Sequence, residues 1–286
     1  MKQHLHDLLR ARAGGDALAW LEKALAATTP PVHHNTLLGY YSGASRRMGK
    51  RALNLSPQEE TRGGTLDAEL ALSHWGADEA ARALLLLTLA EQLPPEEFAE
   101  LARRCYELGD SREQESWLRG LGPLPDCARF LASAVDACRT NIIPVFEAIS
   151  CENPYPLREF PEANFNQLIL KSLFNGIALE RIVGLEARLN ASLSRMSDDY
   201  VSEREAAGRT VPTDIWLVLA PHIAGEGLAR VHRYLSHEDP AHRYWAALGL
   251  GHHANGESRE ALLARAELER EPRVKAALDG ALARMD

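Results

Sequence analysis

Apolar positions along the chain recur at steps of three and four residues rather than at every second residue. That is the period by which a helix gathers a hydrophobic face, whereas a half-buried strand alternates. β-Branched runs with strand alternation are absent. Ala, Leu, Glu and Arg dominate, and Gly or Pro interrupts at intervals suited to short helices. The pattern predicts an all-α protein with helices over roughly 3–13, 16–27, 32–48, 67–74, 78–92, 95–109, 111–120, 126–138, 142–151, 162–175, 178–189, 191–207, 213–222, 225–236, 240–254, 257–269 and 271–284.

Short connections imply antiparallel neighbours, so the expected architecture is an irregular α-solenoid of antiparallel helix pairs. "DPAHRYWAALGLG" (239–251) and "EPRVKAALDGALARM" (271–285) share an Arg or Lys shortly before Ala-Ala-Leu. Their offset of about thirty residues is a helical-repeat period, which makes the C-terminal end HEAT-like. A plain bundle of similar amphipathic helices is the alternative. One elongated domain over 1–286 is expected: N-terminal helices with a basic loop (1–66), helical pairs (67–140), a signature region with a candidate pocket (141–215) and HEAT-like helices (216–286).

Charge and composition narrow the function. A net charge of −8 argues against nucleic acid or an anionic membrane as the partner of the chain as a whole. The longest apolar run, "ALLLLTLA" (83–90), is far too short to span a bilayer, and the N-terminus lacks a signal-peptide core. A cytoplasmic protein without a transmembrane segment is expected. Cys105, Cys127, Cys138 and Cys151 show no metal-ligand spacing and read as buried free thiols in a reducing cytoplasm. Nucleotide-binding and metalloprotease signatures are missing, and the adjacent histidine pairs diverge by about 100° on a helix. No metal and no cofactor is predicted.

Two stretches carry candidate chemistry. "GASRRMGKRALNLSPQEETRGG" (43–64) ends a helix in cations and continues as a loop, so Arg47 and Lys50, with Arg51, are candidates for holding an anion. Cations complementing a helix C-terminus are the plainer alternative. "CENPYPLREFPEANFNQLILKSLFNG" (151–176) is the second. Pro154 and Pro156 are expected to hold Tyr155 on a stiff extended segment. Pro161 suits a helix start and Gly176 a C-terminal cap. Between them Asn164, Gln167, Lys171 and Asn175 form one stripe, with Phe165, Leu168, Ile169, Leu170, Leu173 and Phe174 around the remainder.

Amides suit a partly buried polar recess because they donate and accept without the desolvation cost of a charge. Bonding to neighbouring loop backbone is the competing explanation. Glu147 is the only charge in an apolar helix, and is either salt-bridged to Lys171 or an arginine, or poised for a ligand. In 190–208 Asn190 is a plausible N-cap, Glu203 and Arg204 fall beside the apolar stripe with Tyr200, and Asp198 and Asp199 point to solvent.

Residues 153–212, together with "RRMGKRALNLS" (46–56) and "ADEAARALLLL" (77–87), resemble the EboA family of metabolite-traffic proteins. The resemblance implies a part in moving a secondary-metabolite precursor towards or across the cytoplasmic membrane. It also implies partners such as a UbiA-like prenyltransferase at that membrane. It supplies no catalytic residues, but marks Asn141, Glu147, Asn153, Tyr155, Asn164, Asn166, Gln167, Lys171 and Tyr200 as motif positions. The expectation is a non-enzymatic small-molecule binding or trafficking adaptor. Its ligand contacts would come from Asn141, Glu147, Asn153, Tyr155, Asn164, Gln167, Lys171, Tyr200, Glu203 and Arg204. An interaction scaffold is the first alternative. An enzyme using Glu147 or Glu203 with Lys171 is the second.

Overall fold

The computed structural model describes residues 1–253 and 255–285, and the regular elements among them are all helical. An isolated bridge from Ala52 to Gly76 is the one β-type pairing in those residues. The chain divides into two compact units. One is Met1–Asn164 with Arg181–Val183, and the other is Phe165–Glu180 with Gly184–Asp286.

The first unit contains α1 (Lys2–Arg12), α2 (Gly15–Ala26), α3 (His34–Met48), α4 (Pro57–Leu66), α5 (Ala77–Ala90), α6 (Pro95–Glu107), α7 (Ser111–Arg119), α8 (Leu131–Ala137), α9 (Ile143–Ser150) and α10 (Tyr155–Glu159). Helix α5 is its centre, packed against α1, α3 and α7, with α7 in turn on α9. Residues 77–87 are all buried, as expected of a helix that is apolar around most of its circumference. Each fully buried leucine there contributes about 1.5–3 kcal/mol.

Three charged side chains enter the core with α5: Asp78, Glu79 and Arg82 are at most 2% exposed. Pairing makes this tolerable. Arg82 donates to Asp78 at 3.1 Å, to the Tyr41 carbonyl at 2.9 Å and to Ser116 and Ser45 at 2.9 and 3.0 Å. Arg112 from α7 bonds both Asp78 and Glu79. Burial pushes the Glu79 carboxyl up, while the Arg112 and Ser45 hydrogen bonds hold Asp78 down against the same effect.

Several expected boundaries moved for identifiable reasons. The predicted loop inside 43–64 contains α4, because Ser56-Pro57-Gln58-Glu59 forms a capping box. The Ser56 hydroxyl accepts the Glu59 N–H and the Glu59 carboxylate accepts the Ser56 N–H. The helix expected at 67–74 shrinks to a 3-10 turn at Leu72–His74. That expected at 178–189 is two 3-10 turns, Leu179–Arg181 and Leu185–Arg188, interrupted at Gly184 with φ 68°. Tyr155 is not on an extended segment. It opens α10 with Pro156 behind it, where a missing N–H is harmless, and the Asn153 side chain accepts the Tyr155 N–H at 3.0 Å.

Helix α11 (Glu162–Asn175) ends as expected: Gly176 takes φ 71°, and the N–H groups of Ile177 and Gly176 bond the carbonyls of Ser172 and Leu173. The second unit continues with α12 (Ala191–Ala206), α13 (Ile215–Leu219), α14 (Glu226–Tyr234), α15 (Pro240–Leu250), α16 (Gly256–Leu268) and α17 (Pro272–Met285). Helix α15 packs against α13, α14, α16 and α17. Gly249 permits the closest approach, since a Cβ there would lie 2.2 Å from the Trp216 carbonyl oxygen. The helix expected over 240–254 ends at Leu250, and Ala254 lies outside the described residues.

Candidate functional site

The first unit builds a cavity of mixed polarity from local chain geometry. Helix α3 stops at Met48 with Gly49 at φ 79°, and the chain then runs extended. Residues 51–53 are pinned to 75–77 by Leu53 N–H to the Trp75 carbonyl and Ala77 N–H to the Arg51 carbonyl, both 3.0 Å. Arg12 of α1 secures the other side. Its five N–H donors reach the carbonyls of Leu8, Leu53 and Asn54 and both carboxylate oxygens of Glu59. The Arg12 hydrogen bonds hold the Glu59 carboxyl down at about 2, aided by the Ser56 N–H.

These elements bound a cavity of about 580 Å³. Leu9, Met48 and Leu53 make its apolar wall, with Arg12, Glu59 and Arg51 as its charged groups. Arg12 and Glu59 satisfy each other. Arg51 is exposed and makes no side-chain hydrogen bond or ion pair among the described residues, and the same holds for Arg46, Arg47 and Lys50. Four unpaired cations in six residues thus stand on a chain of net charge −8. Of the expected anion-binding pair, Arg47 faces a separate groove on α3 and Lys50 is exposed and lines neither space, while Arg51, expected beside them, reaches the cavity wall. Arg12 had no sequence signal of its own, although the Ser-Pro-x-Glu start of α4 locates its partner.

Within the first unit, the signature residues 141–164 are largely occupied. Asn153 is 2% exposed, and its amide donates to the carbonyls of Leu118 at 3.0 Å and Ala148 at 2.8 Å. Tyr155 is fully buried; its hydroxyl donates to the Cys127 carbonyl at 2.9 Å, and its ring meets Phe160 edge-on. Burial pushes the Tyr155 hydroxyl well above its usual range. Glu147 is salt-bridged, as one expectation held, with Arg181 as the partner at 2.6 Å. Arg181 also binds Glu152 at 2.7 Å. Asn141 is exposed before α9, and Asn164 is half-buried with its N–H on the Pro161 carbonyl.

In the second unit the amide stripe of α11 lies away from the buried face. Gln167 is exposed, Lys171 is half-buried and Phe174 is 72% exposed, so the helix is less enclosed than its composition implies. The buried amide is Asn166, 1% exposed, in reciprocal hydrogen bonds with Asn190. Asn190 also caps α12 through the Leu193 N–H at 2.8 Å. Arg204 stacks over the half-buried Tyr200 ring at 5.7 Å and donates to the Thr210 carbonyl at 2.6 Å.

Glu203 does not point inward. Its side chain is 71% exposed, with Arg209 at 3.9 Å. Asp198, expected in solvent, is the half-buried acid and pairs with Arg230 of α14. The cause is the close approach of α14, where a Cβ on Gly227 would lie 3.1 Å from the Asp198 carboxylate. Burial raises the Asp198 carboxyl against the opposing pull of Arg230.

A family model described as "Metabolite traffic protein EboA" matches residues 1–220. The chain belongs to the EboA family. The EboA match takes in the cavity, the cation run and α11 and α12, and stops before α14. No curated protein and no solved structure matches the chain. Among the described residues of this EboA chain, no helix is long and apolar enough to cross a membrane, and no group of three or more His, Cys, Asp or Glu side chains is placed to hold a metal ion.

Proposed function

We propose that this EboA-family chain is a non-enzymatic, cytoplasmic adaptor that holds a small anionic metabolite during its traffic. The observation that carries this reading is the cavity of about 580 Å³ in family-matched residues, where an apolar wall meets the unpaired guanidinium of Arg51. Such sites commonly combine apolar enclosure with a few placed polar groups. The remaining charges favour holding over catalysis. Glu59 is kept ionised by Arg12 far below neutral pH, which makes it a poor proton donor or acceptor for a reaction.

Gln167, Lys171, Tyr200 and Arg204, all in the second unit, form the second proposed contact set. In support, the Asn175 amide nitrogen on the same stripe is enclosed without a hydrogen-bond partner. The C-terminal helices are read as degenerate HEAT-like repeats of an irregular solenoid. In support, α15 and α17 pack together and each opens on an acid–proline step. A membrane-bound partner of the UbiA-like prenyltransferase kind fits the traffic role. A scaffold role has one observation in its favour: Ile142 and Ile143, adjacent at the start of α9, are 47% and 42% exposed.

Small molecules co-purifying with the full chain, extracted and quantified by mass spectrometry, test the cavity against an Arg51→Glu variant. Retention of a species by the wild type, reduced tenfold or more in the variant at unchanged melting temperature, is the expected result. Equal retention by both proteins, or an empty wild type, would sink the reading.

A further inference from the structure

The outer face of α3 carries a groove distinct from the cavity beside α1. Thr36, Gly39, Tyr40, Gly43, Arg46 and Arg47 recur at three- and four-residue steps and share one face of the helix. With Trp20 of α2 they bound a groove of about 530 Å³. Neither glycine is required by backbone conformation, since both sit inside a helix without positive φ. What glycine provides here is room. A Cβ on Gly39 would meet nothing within 4 Å, and one on Gly43 would touch the Trp20 indole at 3.5 Å.

Trp20 and Tyr40 flank this floor with ring centroids 5.9 Å apart. At the far end of the stripe stand Arg46 and Arg47, exposed. Neither their guanidiniums nor the Trp20 indole N–H has a hydrogen bond or ion pair among the described residues. Complementing the helix dipole would explain the two arginines alone. It would explain neither the glycines that keep the floor open nor the aromatic flank.

We propose that this groove binds a planar aromatic anion. The ring lies over Gly39 against Trp20 and Tyr40, where offset or edge contacts between π-systems are favourable. The carboxylate or sulfonate is held by Arg46 and Arg47, whose forked donors match planar oxyanions. The site shares no lining residue with the cavity beside α1, so it stands or falls separately from the traffic reading.

The test is a titration of the isotope-labelled full chain, following the indole N–H signal of Trp20 by NMR, with assignment from Trp20→Phe. The probe is 2-naphthoate. The controls are 2-naphthalenemethanol, a ring without charge, and inorganic phosphate, a charge without a ring. The Trp20 signal should move saturably with 2-naphthoate, at a dissociation constant at least tenfold below that of either control. Arg46→Gln/Arg47→Gln should weaken binding tenfold or more at unchanged melting temperature, and Gly39→Leu should abolish it. Should Gly39→Leu impair folding, the double arginine variant decides, because those side chains are exposed. No saturable movement, equal affinity for the uncharged ring, or unaltered affinity in the double variant would overturn the proposal.

Discussion

The side-chain amides of Asn166 and Asn190 close a reciprocal pair: Asn166 Nδ2 donates to Asn190 Oδ1 at 3.1 Å, and Asn190 Nδ2 returns to Asn166 Oδ1 at 2.9 Å. Asn190 has two further bonds, accepting the Leu193 N–H and donating to the Arg188 carbonyl at 3.0 Å. One buried amide on α11 therefore orients the residue that starts α12.

Asn166→Ala removes half of that pair and leaves Asn190 partly unsatisfied. The expected loss is about 1–3 kcal/mol, the cost of an orphaned buried polar group. Asn166→Asp should cost more, since it sets a carboxylate oxygen against Asn190 Oδ1 in a buried place. Urea denaturation of the three proteins checks the order; an Asn166→Ala variant as stable as the parent would contradict it.

Arg82→Met takes one of two cations from Asp78, whose side chain is fully buried and keeps Arg112, and deprives the Tyr41 carbonyl and two serine hydroxyls of a donor. A destabilisation of about 1–3 kcal/mol is expected, the cost of leaving buried polar groups unsatisfied. Adding Asp78→Leu should recover part of it. A double-mutant cycle with no coupling between the two sites would show that the cluster does not act as a unit.

Arg181 serves two carboxylates, so Glu147→Gln and Arg181→Met should differ. The first leaves Arg181 bound to Glu152 and should cost under about 1 kcal/mol, given that the Glu147 side chain is 30% exposed. The second leaves two acids without their shared cation and should cost about 1–3 kcal/mol. Melting temperatures in low and high salt separate the cases, with the larger salt response expected in the parent.

His242 supplies the pH dependence. It is 8% exposed among Trp216, Tyr234 and His237, and its Nδ1 accepts the Trp216 indole N–H at 2.8 Å. Burial, and secondarily His237, pushes its imidazole down to about 4, with Asp239 opposing. A histidine depressed in the fold binds fewer protons there than when unfolded, so stability is lost as pH falls from about 6.5 towards 4. The loss is up to about 3 kcal/mol over that window. His242→Gln should flatten the melting profile between those limits; a profile as steep as the parent's would place the titrating group elsewhere.

Helical periodicity made much of this protein legible from its residues alone. The all-α class, the Gly176 cap, the Asn190 cap and an ion-paired Glu147 follow from spacing, glycine conformation and the scarcity of unpaired buried charge. Family membership was legible as well, through the signature around 153–212. What spacing cannot supply is the rotation of each helix against its neighbours. On α11 it groups Asn164, Gln167 and Lys171 correctly, yet packing covers the face bearing Phe165, Ile169 and Asn166. On α12 the arrival of α14 encloses Asp198 and leaves Glu203 outside. The cavity beside Arg51 likewise requires Arg12, 47 residues before Glu59 in the chain, to fold onto that carboxylate. A single strand of sequence says which side chains share a face; only the neighbours brought by tertiary packing decide which face loses its water.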